Sequence, residues 1–159
     1  SKLVQAGAKV SVAMTPAARK FVGVATFAAL TGRPVPVRTF AGREHPLGAH
    51  IELTQKAEIL CIAPATANFL AKAASGLADD LLSTLYLSCS CPVLLAPAMN
   101  SAMWEKPSVP RNVQQLQADG IECIEPQEGW LSCRQVGTGR MVEAETLYEV
   151  IEQRLSGTN

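Results

Sequence analysis

Two stretches of this 159-residue chain, ILCIAPATAN at 59–68 and PVLLAPAMN at 92–100, follow one grammar. Each begins as a short run that is apolar at successive positions, and each stops at an Ala-Pro-Ala turn leading to Asn. A strand with one wet face alternates apolar and polar residues, so a run without alternation is buried on both faces. Such strands need helices above and below them, which makes the crossovers helical and the sheet mainly parallel. The expected fold class is therefore α/β, a three-layer sandwich.

The rest of the chain supplies the pieces. Strands are expected at 10–14, where Val10, Val12 and Met14 alternate, weakly at 34–40, then at 59–63, 91–96 and 121–124. Helices are expected at 1–6 with Gly7 as cap, and at 17–22 behind Thr15 and Pro16 as N-cap and first position. Others are read at 25–30, 51–56, 66–74 (closed by Gly76), 77–87, 109–118 and 143–155, with a helical turn at 99–104 and a polar loop leading to His50. At about 150 residues per domain, 1–159 is one domain. It opens inside a helix, where a doubly wound domain places a strand and a glycine-rich turn first, so an N-terminal element is expected to be missing.

Composition removes several function classes. Lys plus Arg and Asp plus Glu number 14 each, so no long-range field draws nucleic acid or an anionic membrane. No stretch approaches the roughly 18 apolar residues of a membrane span, and SKLVQAGAKV lacks a signal-peptide core, so a cytoplasmic protein is expected. Five Cys, at 61, 89, 91, 123 and 133, form no CxxC pair, and Cys89–Ser90–Cys91 has no second Cys/His cluster to complete a metal site. Neither a disulfide framework nor a bound metal is expected.

In parallel sheets of this class, ligands bind beyond the carboxyl ends of the strands. Those ends are Thr15, the 64–68 turn, the 97–100 turn and the loop after Ile124. Small residues there let a flat ligand approach the backbone, while Thr66, Asn68 and Asn100 bring hydrogen-bonding groups to helix N-termini. The competing explanation is ordinary capping by Thr66 and Asn100. Asp79 is equally a helix N-cap or a neighbour of the ligand, and Met99, Met103 and Trp104 are read as packing residues.

The strings GAHIEL (48–53), APATANFLAKAASGLADDLLST (63–84), PAMNSAMW (97–104) and SCRQVGTGRM (132–141) resemble the flavin-dependent cysteine decarboxylase family, in order and over nearly the whole chain. The resemblance implies a Rossmann-like, flavodoxin-like fold that binds FMN at a subunit interface in homotrimers or multiples such as a homododecamer. By matching motifs it implies a catalytic His50 and a proton-donating Cys133. It assigns the substrate's carboxylate to Asn100. Arg140, in the common turn GTGR, is read either as a contact to the substrate's phosphate or as a cap of its loop, with Met141 beside it as a substrate contact. Flavin contacts are implied for Thr15 and for the turn Ala65, Thr66, Ala67, Asn68 and Phe69, with Ala98 along the ligand.

The implied substrate is the small molecule 4'-phosphopantothenoylcysteine, decarboxylated to 4'-phosphopantetheine in coenzyme A biosynthesis, with a fused or separate phosphopantothenoylcysteine synthase as partner. A carboxylate on a saturated carbon does not leave readily, because its electrons have nowhere to go. In the family FMN first oxidises the thiol-bearing carbon to a thioaldehyde that accepts them. An imidazole titrating near neutrality suits the proton handling, and Cys133 suits the final protonation. The glycines around Cys133 (Gly129, Gly137, Gly139) are expected to hinge a mobile lid.

This chain departs from the family in two places. The usual Cys-Gly-Asp is Cys133, Arg134, Gln135, and the first strand and phosphate-binding turn are expected to be absent. The alternatives are a peptidyl-cysteine decarboxylase and a non-catalytic flavin-binding regulatory subunit. The joint presence of His50, Asn100 and Cys133 argues against the regulator.

Overall fold

From Leu60 to Cys123, three strands are separated by helices, as the two apolar runs require. In chain order the elements are α1 (Lys2–Gln5), α2 (Val24–Thr31), α3 (Ala49–Thr54), β1 (Leu60–Ala65), α4 (Ala67–Ser75), α5 (Leu81–Ser88) and β2 (Val93–Pro97). They continue as α6 (Ser101–Trp104), α7 (Ser108–Ala118), β3 (Glu122–Cys123), β4 (Gln127–Trp130), β5 (Val136–Arg140) and α8 (Ala144–Ser156). The structure is a computed structural model that describes residues 1–40 and 48–157; of the polar loop expected at 41–50, residues 41–47 lie outside the described residues, and Ala49 and His50 already belong to α3.

The residues fall into two compact units. One comprises Ser1–Ala57 and Ala78–Ser90, the other Glu58–Leu77 and Cys91–Asn159. The second holds the parallel sheet, ordered β1-β2-β3. Its middle strand β2 is buried along its whole length, as a run with no polar position demands. Leu60, Cys61 and Ile62 pair with Val93, Leu94 and Leu95, and the register shifts before Ala65 meets Pro97. Helices α4 and α7 pack through Phe69, Leu70 and Ala73 on one and Val109 and Leu116 on the other. Leu70, Leu94, Leu95 and Leu116 are all but inaccessible to solvent, each contributing about 1.5–3 kcal/mol through burial.

Helix α4 ends where a Cβ becomes unfavourable. Gly76 takes φ +71°, and its amide and that of Leu77 return to the carbonyls of Ala73 and Lys72, closing the last turn. The other unit is thinner: Ala49, Leu81 and Leu85 form its core with Ala13 and Leu53 against them. Helix α5 starts at Leu81, behind Asp80 as N-cap and four residues later than its apolar content predicts. Asp80 accepts from the Ser83 amide at 2.9 Å while Ser83 Oγ accepts from the Asp80 amide at 3.1 Å, a reciprocal cap that fixes the first turn.

Four other expectations change. Residues 10–14 join no ladder: Met14 is buried and its amide donates to the Pro36 carbonyl at 3.2 Å, so the alternation marks an extended segment rather than a paired strand. No strand forms at 34–40, where Pro34 and Pro36 remove two ladder donors. The helix read at 17–22 is a short 3-10 turn, Ala18–Lys20, whose N-cap is Ala17 rather than Thr15, although Thr15 Oγ1 accepts from the Ala18 amide at 3.1 Å. The lid around Cys133 is an antiparallel hairpin, with Gly129 paired to Gly137 and Trp130 to Val136, so those glycines are strand residues rather than hinges.

Candidate active site

The carboxyl ends of β1 and β2 are joined at the place predicted for ligand. The Ala98 amide donates to the Ala65 carbonyl at 3.1 Å, which holds the APATAN and APAMN turns side by side at one end of the parallel sheet. Ala65 is fully buried, Ala98 and Ala67 are half-buried, and Thr66 and Asn68 are exposed. Thr66 is the N-cap of α4 and its Oγ1 accepts from the Phe69 amide at 3.3 Å. The first two helical amides, of Ala67 and Asn68, precede any intrahelical acceptor and face outward from the positive end of the helix dipole.

Asn100 is a cap as well. Its Oδ1 accepts from the Ala102 amide at 2.8 Å, starting α6. The capping explanation and the ligand explanation are therefore compatible, because the two ends of the amide differ. The carbonyl end is committed to the helix, and the NH₂ end retains its protons for an acceptor such as a carboxylate. Directly beneath, the Met99 amide donates to the Gly139 carbonyl of β5 at 2.9 Å. Arg140 and Met141 follow at once in the chain: Arg140 is exposed and ion-paired with Glu143, and Met141 is half-buried.

Cys133 lies elsewhere on the same hairpin. It is exposed at the tip, in a turn closed by the Leu131 amide to the Gln135 carbonyl and the Arg134 amide to the Leu131 carbonyl, both at 2.9 Å. Arg134 there takes φ +63°, a conformation unusual for a residue with a Cβ. From Gly139, β5 runs about 3.4 Å per residue toward that tip and ends at Val136, three residues short of Cys133.

His50 and Thr15 belong to the first unit. His50 is the second residue of α3, and the Gly48 backbone beneath it has φ +97°. A Cβ on Gly48 would sit 3.0 Å from His50 Cε1 and 3.2 Å from Nδ1, so the ring occupies space that only glycine leaves. Phe40 meets the imidazole edge-on, ring centroids 6.4 Å apart. His50 Nδ1 is buried and finds no hydrogen-bond partner among the described residues. Such an orphaned polar atom costs stability, and it is the kind of group a bound ligand satisfies. Thr15 lines a cleft of about 450 Å³ with Met14, Pro16, Arg38, Phe40 and Asp79.

These donors fit a flavin. Within the second unit, small residues leave room for a planar ring at the paired turns and the α4 amides suit its ring acceptors. Within the first, the Thr15 cleft is by itself large enough for part of a nucleotide-sized ligand. Two features escaped the reading of residue types. The Asp80–Ser83 cap was signalled by the spacing D-x-x-S, whereas the contact of β5 with the 99–101 turn has no local signature.

The Flavoprotein family model matches residues 1–156, and the chain belongs to that family. Within it, the chain is 44% identical over 156 residues to the coenzyme A biosynthesis bifunctional protein CoaBC of Bacillus subtilis (strain 168), covering 98% of this chain and 38% of that one. It thus spans well under half of that relative's length. Among solved structures, the FMN-dependent cysteine decarboxylase SpaF is 40% identical, with a TM-score of 0.76 over 91% of this chain and 79% of SpaF. A mutant PPC decarboxylase complexed with pantothenoylaminoethenethiol is 28% identical, with a TM-score of 0.83 over 98% of this chain and 87% of the other. The fold is the flavodoxin-like α/β class.

Proposed function

We propose that this chain binds FMN and decarboxylates 4'-phosphopantothenoylcysteine to 4'-phosphopantetheine, a carboxy-lyase step of coenzyme A biosynthesis. The observation that carries the proposal is the Ala98–Ala65 hydrogen bond, which sets two small-residue turns, two free helix amides and the Asn100 amide at one end of the sheet. When bound, FMN supplies reversible oxidation of the thiol-bearing carbon and so gives the departing carboxylate's electrons a destination.

The chain's own residues do the rest. Ala65, Thr66, Ala67, Asn68, Phe69 and Ala98 hold the ring, and Thr15 holds a further part of the cofactor. His50 takes up the substrate's proton at Nδ1, the nitrogen with no partner among the described residues. Asn100 donates from its NH₂ to the substrate carboxylate, and a neutral donor holds the carboxylate less tightly than a cation would. Cys133 Sγ returns a proton to the carbon that lost carbon dioxide. Arg140 exchanges its bond to Glu143 for the substrate's phosphate, and Met141 packs beside it.

Residues 1–159 act as one flavoprotein domain, in homotrimers or multiples of them, with a fused or separate phosphopantothenoylcysteine synthase and in the cytoplasm. No described helix is long and apolar enough to cross a membrane. The test is to load the purified protein with FMN and follow carbon dioxide release from 4'-phosphopantothenoylcysteine and from a peptide ending in Cys. Release from the first substrate alone is expected. Release from the peptide alone would make the chain a peptidyl-cysteine decarboxylase, and flavin binding without release from either would make it a regulatory flavoprotein.

A further inference from the structure

The hairpin that carries Cys133 has a side built without side chains where it meets the Asn100 turn. Gly139 has φ +141°, and a Cβ placed on it would collide with the Met99 carbonyl oxygen and lie 3.5 Å from the Asn100 carbonyl carbon. Two residues earlier, a Cβ on Gly137 would collide with Ser101 Oγ and lie 3.4 Å from Ser101 Cβ. Between these points the Met99 amide donates to the Gly139 carbonyl at 2.9 Å. Three consecutive residues of the substrate-binding turn, 99–101, are thus seated on alternate residues of one face of β5. Both contacts are short because both strand residues lack a Cβ, and no L-residue takes φ +141° without strain.

We propose that Gly139 and Gly137 are positioning residues that fix Asn100 and the Cys133 hairpin in one register. The amide that holds the carboxylate and the strand that leads to the proton donor then move together. The hairpin is consequently anchored at the Gly139 end and free only toward its tip. A Cβ on Gly139 would meet backbone, which has no side chain to swing aside. Gly137 presses on a hydroxyl, which can be removed. That difference makes the two positions separately testable.

The proposal rests on the decarboxylase reading for its kinetic consequences but not for its structural one. Hydrogen–deuterium exchange of the full chain compares the wild type with Gly139→Ala over peptides spanning 99–104 and 127–140. Exchange should quicken in both, because the Asn100 cap on the Ala102 amide loosens with the hairpin. Quickening confined to the hairpin would overturn the coupling. In FMN-loaded protein, Gly139→Ala should lower kcat/KM by about 100-fold, the loss expected from a displacement of about 1 Å. Gly137→Ala should show a smaller fall that Ser101→Ala, added to it, restores to near the wild-type value.

A merely structural role predicts something else: less folded protein, but unchanged kcat and KM per bound FMN, and that result would overturn the proposal. So would a Gly137→Ala/Ser101→Ala double variant as slow as Gly137→Ala alone. If the wild type releases no carbon dioxide, the functional reading fails while the exchange comparison still decides the coupling.

Discussion

A thiol's usefulness depends on its surroundings, and the cysteines of this chain differ sharply. Burial pushes Cys61 up to about 11, and burial together with the neighbouring Glu122 carboxylate pushes Cys123 to about 11. A thiol titrating at about 11 is ionised to about one part in a thousand at pH 8, too little to attack an electrophile. Cys133 is exposed at the hairpin tip. Mass mapping after brief maleimide treatment near neutral pH should therefore find Cys133 labelled and Cys61 and Cys123 protected. Their labelling should rise about tenfold per pH unit until the pH nears 11. The same shifts have a stability consequence. Both thiols are raised from 9.0, so between pH 9 and about 11 the unfolded chain has released protons that the folded chain keeps. Their stabilisation is whole below pH 9 and falls as pH climbs toward about 11. The denaturation midpoint should fall across that window, and Cys61→Ala should flatten the fall. Functionally, Cys133→Ser should allow carbon dioxide loss but leave the flavin bleached. His50→Asn should prevent bleaching at all, as absorbance spectroscopy would show.

At the scale of elements, β2 and the caps carry the argument. Leu95 is fully buried in the middle strand, so Leu95→Ala should cost about 2–5 kcal/mol in urea unfolding through lost transfer energy and the cavity left behind. Asp80→Ala removes one side of the α5 cap and should cost about 1 kcal/mol. The elements that were legible beforehand are those whose signals are local. The unbroken apolar runs of β1 and β2, the Thr66 cap with Gly76 beyond α4, and the amphipathic spacing of α7 and α8 place each element to within two residues, with β1 running through Pro64 to Ala65 rather than ending at the proline. No strand forms at 10–14 or 34–40, because alternation and β-branched residues report extended backbone, while a strand also needs a partner with donors, and Pro34 and Pro36 have none to give. The start of α5 was placed early because Leu77 and Ala78 are good helix formers, whereas the reciprocal Asp80–Ser83 bonds decide where the helix begins.

Across the whole chain, the candidate site was legible in its residue types and less so in its mechanics. Alanine, proline and asparagine at two strand ends pointed to the paired turns because small and capping residues have few other reasons to recur there. The seat of those turns on β5 was hidden: Gly137 and Gly139 look like hinges in sequence, and only a contact across nearly forty positions of chain reveals them as packing surfaces. The imidazole of His50, the amide of Asn100 and the thiol of Cys133 are proposed to serve one flavin in one reaction that begins and ends with the oxidised cofactor. Anaerobic absorbance of the FMN-loaded protein, followed after adding 4'-phosphopantothenoylcysteine, tests that claim most directly. The account predicts that the yellow colour fades and then returns as carbon dioxide and 4'-phosphopantetheine form in equal amounts. An unchanged flavin spectrum while the substrate is bound, or while it is decarboxylated, would contradict it.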